Sequence, residues 1–152
     1  MKTRIKGEIN RMELRLPAIS VNEGIARAAV AGFCAQLAPD ATELSDIKCA
    51  VSEAVTNCIV HAYAGRPGVC YITVVLLEGR VVRISVRDNG CGIADVRRAR
   101  EPLFTTGDTD ERSGMGFTVM ENFMDRLTVR SRLGKGTLVL MSKEIGRSRQ
   151  GE

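Results

Sequence analysis

Three short segments of the chain carry residue types that could together hold a nucleotide. They are Glu53-Ala-Val-Thr-Asn57, Asp88-Asn-Gly-Cys-Gly92 and Gly114-Met-Gly116. An amide oxygen such as that of Asn57 is a hard ligand suited to Mg²⁺, and a carboxylate one turn earlier can act as a general base. Glycines that open a helix let the backbone approach an anion, which the free N–H groups of the first turn then bind.

Each segment taken alone has a simpler interpretation. Asp88-Asn-Gly90 suits a tight turn, because Asn-Gly favours positive φ, and Gly114-Met-Gly116 could be a hinge. Glu53 and Asn57 could lie on a solvated helix face. The sequence contains neither a Walker A motif nor a G-x-G-x-x-G following a strand, so two common nucleotide-binding folds are disfavoured.

The segment before these motifs predicts a strand and then a helix. Weak alternation over Glu8–Leu16 predicts a strand that Pro17 ends. Ser20 and Glu23 have the spacing of a capping box. Apolar residues then recur at every fourth position and predict the buried stripe of a first helix. The stripe comprises Ile25, Ala29, Phe33 and Leu37.

A second helix is predicted to carry the Glu53–Asn57 pair. It begins between Thr42 and Ser45, and its apolar residues follow the helical period. At 100° per residue, Glu53 and Asn57 lie close together on a flank away from that apolar stripe, where two polar side chains can converge on a ligand.

The remainder predicts strands, a loop and a further helix within one domain, 1–152, whose tail after about 145 is expected to be disordered. The order of elements indicates an α+β fold, a two-layer sandwich with helices on one face of a mixed, mostly antiparallel sheet. The predicted segments are the hairpin Val69–Leu77 and Arg80–Arg87, a short helix to Ala99, a loop Pro102–Arg112, a helix Phe117–Met124 and the hairpin Leu127–Leu133 and Thr137–Lys143.

Composition indicates a soluble protein of a reducing compartment. Apolar residues make up 44% and charged residues 26%, and no apolar run reaches the roughly 18 residues of a membrane helix. The five cysteines are odd in number and form no C-x-x-C pair, which favours neither disulfides nor a zinc site. We therefore expect a cytoplasmic protein without membrane association.

The basic net charge of +4 raises the question of nucleic acid. Aromatic residues are only 4% of the chain, and the arginines are scattered along it, with Arg97, Arg98 and Arg100 the densest group. A solvated helix face is favoured over a nucleic-acid patch for that group, so no direct nucleic-acid partner is expected. A modest positive field also suits an anionic nucleotide or an acidic partner protein.

The order and spacing of the three segments resemble the gyrase, Hsp90, histidine-kinase and MutL ATPase superfamily, in which an N-box is followed by two glycine boxes. A narrower resemblance is to the anti-sigma-factor serine kinases, and within them to the sporulation anti-sigma F factors. It is carried by Ser52-Glu-Ala-Val-Thr-Asn57, by His61-Ala-Tyr63 and by Glu111-Arg-Ser-Gly-Met-Gly-Phe-Thr-Val-Met-Glu-Asn-Phe-Met-Asp125. It extends from about Glu8 to Glu144 and implies a Bergerat-type ATP-binding fold.

The resemblance implies a role for each motif residue. Asn57 would hold the Mg²⁺ of bound ATP, and Glu53 would accept the proton of a substrate serine. Asp88 would accept a hydrogen bond from the adenine amino group, with Gly90 and Gly92 allowing close approach of the backbone. Other residues would form the lid and phosphate contacts, and one would contact partner proteins. The lid and phosphate residues are Thr105, Thr106, Arg112, Ser113, Gly114, Met115 and Gly116, and the partner-binding residue is Arg27.

The implied function is that of an anti-sigma factor with serine kinase activity. As an ATP-bound homodimer it would inhibit a sporulation sigma factor and phosphorylate an anti-anti-sigma protein on serine. One departure concerns the lid, where Gly107-Asp108 replaces the Lys-Pro common in the family, and this bears on nucleotide affinity. A nucleotide-gated sigma-binding module without significant kinase activity is therefore an alternative.

A further alternative is a histidine-kinase catalytic domain that phosphorylates a histidine of another protein. His61 is the only histidine of this chain. The phosphoacceptor of histidine kinases lies in a separate helical domain, which the sequence lacks. A structural or partner-facing role is therefore favoured for His61.

Overall fold

The computed structural model describes residues 3–102 and 116–147. The strands are β1 (Glu8–Pro17), β2 (Val69–Leu77), β3 (Val81–Asp88), β4 (Arg126–Arg132) and β5 (Gly136–Glu144). The α-helices are α1 (Val21–Cys34), α2 (Ala41–Thr56), α3 (Val96–Ala99) and α4 (Gly116–Phe123). A 3₁₀ turn, Ala35–Leu37, follows α1, and a π-helical segment, Asn57–Ala62, continues α2.

The strands form one open sheet in the order β1-β2-β3-β5-β4. The α+β prediction is confirmed, but the sheet is not mixed, because every pairing among the described strands is antiparallel. Both predicted hairpins are present, and β5 inserts between β3 and β4. This insertion places Thr137 opposite Asp88, so the last hairpin borders the end of β3 where the glycine-rich run begins.

The core lies between one face of the sheet and helices α1, α2 and α4. Alternate residues of β2 and β3 point into it, and the largest of them, Ile72, Leu76 and Ile84, are fully buried. From the helix side, Ile47 and Met120 meet them. The opposite face of the sheet carries no helix of the described residues, so the molecule is a two-layer sandwich, as predicted.

Helix α1 differs from its prediction in both the cap and the buried face. The Ser20 side chain makes no capping hydrogen bond, since its backbone is already helical. Of the predicted stripe, Phe33 and Leu37 pack partly against the core, whereas Ile25 is 56% exposed. The fully buried residues of the helix are Ala26, Val30, Ala31 and Cys34. Small side chains on the buried face allow α1 to pack closely against α2. This face is therefore the one turned to the core, although Ile25 on the other side has a larger apolar side chain.

Helix α2 is capped at a position that the sequence pattern did not single out. The Asp40 carboxylate accepts from Glu43 N at 2.7 Å, and Glu43 Oε1 accepts from Asp40 N at 3.0 Å, which completes a capping box. The helix then runs to Thr56 and continues as the π-helical segment without a break. Because the helix is capped at Asp40 and ends at Thr56, Glu53 lies in its last turn and Asn57 directly follows it.

A buried lysine connects α2, α4 and β5. Lys143 is 3% exposed, donates to Phe123 O at 2.8 Å and lies 3.7 Å from an Asp46 carboxylate oxygen. The cation thus binds a carbonyl at the C-terminus of α4, where the helix dipole favours positive charge.

Within residues 3–102 and 116–147, no helix is both long enough and apolar enough to cross a membrane.

Candidate functional site

The carboxyl end of α2 meets the start of α4, and this junction brings together residues from two of the three segments. A Cβ added at Gly116 would lie 3.3 Å from Glu53 Oε2 and 3.4 Å from the Asn57 amide atoms. Glu53 and Asn57 are half-buried, one turn apart, on the flank that faces α4. The predicted convergence of these three residues is therefore present, with a hard amide ligand and a carboxylate beside a helix N-terminus.

The glycine-rich run after β3 is held against two other parts of the chain. Cys91 donates its backbone N–H to Ala62 O at 2.7 Å, and Gly134 N donates to Cys91 O at 2.7 Å. A Cβ at Gly90 would collide with the Ala62 carbonyl oxygen, and one at Gly92, where φ is +74°, would collide with the Arg132 carbonyl oxygen. Both glycines are thus required sterically to keep this loop close to its neighbours.

Asp88 is a buried carboxyl at the floor of the site. It is 8% exposed, and its Oδ1 accepts from Gly90 N at 2.9 Å and Thr137 N at 3.2 Å. Burial raises the pKa of Asp88 above its ordinary value, and the two backbone hydrogen bonds and the Arg87 charge only partly oppose this. Both of these hydrogen bonds use one oxygen, so the carboxylate retains acceptor capacity on the other.

Asn57, Asp88, Gly92 and Gly116 line a cleft of about 460 Å³, a size that suits a nucleotide-sized ligand, and Glu53 lies next to Gly116. Its apolar walls include Ala54, Val86, Ile93 and Val139. Polar groups at the wall are Asn57, His61, Asp88, Asp95, Arg98 and Thr137. A mostly apolar cleft with one buried carboxylate at its floor can bind a flat heterocycle and fix its orientation by a single polar contact.

Two residues that support the site were missed by sequence reasoning. The Tyr63 hydroxyl donates to Val69 O at 2.6 Å and accepts from Asn89 N at 2.9 Å, which fixes the loop after Asp88. Ser131 Oγ accepts from Ile93 N at 2.7 Å and donates to Gly136 O at 3.0 Å. A further residue that was missed is Thr137, whose N–H binds Asp88. Gly136 and Thr137 follow a predicted hairpin turn, but such a turn gives no indication of a contact with Asp88, which lies 49 residues earlier in the chain.

His61 lies on the wall of the cleft within the π-helical segment. Its backbone carbonyl is 3.5 Å from the Cys91 thiol, which contributes to the same loop contact as the Ala62 carbonyl. The expectation of a structural role is consistent with this position, and the half-buried residue also lines the cleft.

Arg27 lies outside the cleft, between α1 and α2. Its guanidinium forms a 2.8 Å ion pair with Glu23 and a 3.3 Å hydrogen bond to Ser52 Oγ. The side chain retains 43% of its exposure. Arg27 is therefore held next to the residue that precedes Glu53 while remaining accessible to a partner protein.

Several predicted site residues lie outside the described part of the chain, and no geometry is assigned to them. They are Thr105, Thr106, Arg112, Ser113, Gly114 and Met115, together with Gly107-Asp108 of the lid.

Comparison with known proteins agrees with this architecture. A family model described as a histidine kinase-like ATPase domain matches residues 17–143. An anti-sigma F factor from Caldanaerobacter subterraneus subsp. tengcongensis is 55% identical over 140 residues, which are 92% of this chain and 97% of the relative. The chain belongs to the anti-sigma F factor family. Another member, from Geobacillus sp. strain WCH70, is 52% identical over 141 residues, 92% of this chain and 96% of that protein.

Solved structures place this anti-sigma F family member in the same fold. The RsbU and RsbW domains of Rv1364c from Mycobacterium tuberculosis match with a TM-score of 0.66 at 21% identity, over 90% of this chain and 32% of that one. A histidine kinase domain from Erythrobacter litoralis matches with a TM-score of 0.54 at 19% identity, over 81% of this chain and 61% of that one. The fold and family predicted from the sequence are therefore confirmed, and the match to an ATPase domain implies nucleotide binding.

Proposed function

We propose that this protein is an ATP-dependent anti-sigma factor with protein serine kinase activity. It binds a sporulation sigma factor of the sigma F type and holds it inactive, and it phosphorylates an anti-anti-sigma antagonist on serine. The protein acts in the cytoplasm as a homodimer. Support comes from family membership and from the anti-sigma F names of relatives that are 52–55% identical over nearly the whole chain.

One observation carries the kinase part of the proposal. The Glu53 carboxylate, the Asn57 amide and Gly116 lie at one junction, with the Gly116 Cβ position 3.3–3.4 Å from both side chains. The absence of a side chain at Gly116 leaves room for phosphate oxygens beside the α4 N-terminus, whose N–H groups favour negative charge. A carboxylate at the same junction is in a position to act on a hydroxyl that approaches the terminal phosphate.

The donor set at this junction fits Mg²⁺ held jointly with phosphate. Among residues 3–102 and 116–147, no group of three or more His, Cys, Asp or Glu could form a cage for a metal ion. Mg²⁺ does not need such a cage, because it commonly takes one or two protein oxygens and completes its shell with phosphates and water. Asn57 would supply the protein oxygen, and the ion would neutralise charge on the transferring phosphoryl group.

Asp88 supports adenine as the base. A buried carboxylate whose Oδ1 is already occupied by two backbone N–H groups presents its other oxygen as a hydrogen-bond acceptor. The exocyclic amino group of adenine is a donor, whereas guanine and hypoxanthine place an acceptor at the same position. The apolar walls of the cleft bind the two faces of the ring.

Glu53 would act as the general base. The oxygen of the substrate serine bonds to the γ-phosphorus as the bond from that phosphorus to the ADP oxygen breaks. The serine proton passes to the Glu53 carboxylate. Phosphoryl transfer depends mostly on positioning and charge neutralisation, which the junction of α2 and α4 supplies.

The exterior of α1 supports contacts with other proteins. Val21 is 72% exposed and Ile25 is 56% exposed on the outward side of this helix, with Ile19 just before it 53% exposed. Exposed apolar clusters of this kind often mark protein interfaces. We assign this surface to the homodimer contact, and Arg27, which lies towards α2, to contact with the sigma factor and its antagonist.

Incubation with γ-labelled ATP, Mg²⁺ and a candidate anti-anti-sigma protein tests the kinase proposal. The wild type should place acid-stable label on the partner. Glu53→Ala should reduce the transfer rate by about 10²–10⁴-fold, the usual contribution of a general base, with ATP binding largely retained. Glu78→Ala, in the exposed turn between β2 and β3, is the matched control and should transfer normally.

The possible outcomes separate the alternatives. Transfer at the wild-type rate by Glu53→Ala would remove Glu53 as the base. ATP binding without transfer by the wild type would favour the nucleotide-gated binding module and direct attention to Gly107-Asp108. Acid-labile label on the partner would indicate transfer to histidine instead of serine.

A further inference from the structure

The face of the sheet that carries no described helix has an unusual distribution of charge. Registry aligns three rows of side chains across the five strands. One outer row is Arg15, Tyr71, Arg87, Leu138 and Arg130, and the other is Arg11, Val75, Arg83, Ser142 and Arg126. The middle row is Glu13, Thr73, Ser85, Leu140 and Thr128. The three rows together form the open face.

Arginines that are scattered in the sequence are thus gathered into two basic rows. Within the open face, six arginines stand against one carboxylate, Glu13. The two rows are four residues apart along each strand, or about 13 Å. Six arginines against one carboxylate make this surface predominantly basic, and like charges that are gathered together set up a local field.

Most of this charge is not neutralised within the described chain. Of the six arginines, only Arg11 forms ion pairs with described carboxylates, at 2.6 Å to Glu8 and 3.7 Å to Glu13. Arg126 and Arg130 are exposed on the edge strand β4, and Arg83 is half-exposed at the centre. Guanidinium groups in this state are available for bidentate contacts with carboxylates or phosphates.

The one aromatic ring on the open face is already covered. The Arg87 guanidinium carbon lies 4.1 Å from the centroid of the Tyr71 ring, and that of Arg15 lies 5.7 Å from it. Proteins that bind single-stranded nucleic acid offer free aromatic faces on which bases stack. Tyr71 instead holds two cations in place, which fixes the geometry of one basic row.

The shape of the open face also disfavours a nucleic-acid duplex. Five strands at a spacing of about 4.8 Å span about 19 Å, whereas the major groove is about 12 Å wide and admits a helix or a two-stranded ribbon. Between the basic rows lie hydroxyl and apolar side chains such as Thr73 and Leu140. A protein segment can satisfy both kinds of surface, with backbone and methyl groups over the centre and carboxylates over the arginines.

We propose that the open face is a docking surface for an acidic segment of a partner protein. The cleft lies on the helix side of the sheet, where Val86, Asp88 and Val139 line it, so this surface is separate from the nucleotide site. Docking therefore leaves nucleotide binding unchanged, and the two sites can be occupied together.

Fluorescence anisotropy with a labelled peptide of about 20 residues, half of them Asp or Glu, tests the proposal. The double variant Arg83→Gln/Arg130→Gln removes one cation from each row. Lys48→Gln/Arg97→Gln removes the same charge from exposed positions on α2 and α3. The open-face variant should bind the peptide about tenfold more weakly, and the control within about twofold of the wild type. All three proteins should bind a fluorescent ATP analogue equally.

Each other outcome overturns the docking proposal. If the two double variants lost peptide binding equally, net charge alone would explain the binding, and the open face would have no special part in it. No measurable binding by the wild type at low salt would remove the surface altogether. Tighter binding of a DNA duplex of about 20 base pairs, with the same dependence on Arg83 and Arg130, would assign the open face to nucleic acid. Because the ATP analogue is measured separately, failure here is distinguishable from failure of the nucleotide-site proposal.

Discussion

At the scale of single residues, the two oxygens of Asp88 have different tasks. Oδ1 is engaged by Gly90 N and Thr137 N, which ties the glycine-rich loop to β5. The other oxygen is the one that can recognise a ligand. A single substitution can therefore change recognition while leaving the structural oxygen in place.

Asp88→Asn should invert the base preference of the cleft. The amide oxygen can still accept from Gly90 N and Thr137 N, but its NH₂ group then faces the amino group of adenine. We expect the affinity for ATP to fall about tenfold or more, whereas the affinity for ITP, which has a carbonyl at that position, should rise relative to ATP. Calorimetric titration with both nucleotides measures this.

Asp125→Asn provides the control for that comparison. The Asp125 carboxylate lies outside the cleft and accepts from Glu144 N at 2.7 Å. Asp125→Asn therefore removes one carboxylate charge beside a backbone hydrogen bond, as Asp88→Asn does, without changing the cleft. Unchanged ATP preference in Asp88→Asn would contradict the assignment of Asp88 to the base.

The raised pKa of Asp88 predicts a dependence of binding on pH. The folded protein holds the proton of this carboxyl more tightly than the unfolded chain does, so the contribution to stability is present at low pH and is lost as pH rises through the folded pKa. Adenine recognition has the opposite sign, because it needs the ionised acceptor. ATP affinity should therefore fall as pH is lowered from neutral, starting above the ordinary carboxyl pKa of 3.8. Titrations at stepped pH on wild type and Asp88→Asn test this, and equal slopes would contradict it.

At the scale of elements, the start of α4 matters because it abuts the end of α2. Gly116→Ala places a methyl group 3.3 Å from Glu53 Oε2 and 3.4 Å from the Asn57 amide. The helix preference of alanine over glycine, about 0.5–1 kcal/mol within a helix, and the tight contact with Glu53 act in opposite directions, so thermal stability should change little. Phosphoryl transfer and affinity for Mg²⁺–ATP should nevertheless fall, because the methyl group occupies space needed by phosphate.

Gly32→Ala in α1 is the matched change, since nothing lies within 4 Å of its Cβ position. It should raise the melting temperature with no effect on ATP binding. Loss of stability in Gly116→Ala together with unchanged ATP binding would reverse both expectations. Differential scanning calorimetry and nucleotide titration on the same preparations give the two readouts.

The elements themselves were predicted from sequence to different degrees. Strand and hairpin limits agree within a few residues, because β2 and β3 alternate clearly about a glycine turn. The face of α1 was predicted in part, because Phe33 and Leu37 do pack against the core, whereas Ile25 is exposed and Ala26 and Val30 are buried in its place. Helix-to-helix distance is a tertiary property that one helix does not encode.

The arrangement of the candidate site could be predicted from local patterns where residues share one element, and it needed the family resemblance elsewhere. Glu53 and Asn57 could be paired from helical geometry alone. Their approach to Gly116 depends on how α4 packs against α2, which local patterns do not specify. Tyr63 was missed because its contact joins the segment after α2 to the loop after β3, 26 residues away in the chain. Thr137 was missed because its contact with Asp88 arises only when the last hairpin inserts beside β3.

At the scale of the whole molecule, the two sides of the sheet have different chemistry. The helix side holds the core and the nucleotide cleft, while the open face carries the two arginine rows. The sequence disfavoured a basic patch because the arginines are scattered along it. Strand order and register, which bring arginines from three strands together, were needed to recognise the surface.

The exposed apolar side of α1 predicts the behaviour of the intact protein in solution. Val21→Glu/Ile25→Glu should convert the proposed dimer to a monomer, because two charges replace apolar contacts at the interface. Thr42→Glu, at an exposed position in the first turn of α2, should leave the mass unchanged. Light scattering coupled to size-exclusion chromatography measures both. A dimeric mass for the double variant would move the contact to another surface.

The π-helical segment after α2 is a place where the chain can lose one residue. Asn57–Ala62 accommodates one more residue than an α-helical course over the same path would need. Removal of one residue there should give an α-helical course that keeps the Ala62 carbonyl directed at Cys91 N, whereas removal of one residue from α2 would rotate everything that follows by about 100°. Side-chain identity is restricted separately, because Cys58 is buried in the core and His61 lines the cleft. The extra residue thus separates the length of the chain at this point from the direction in which it continues.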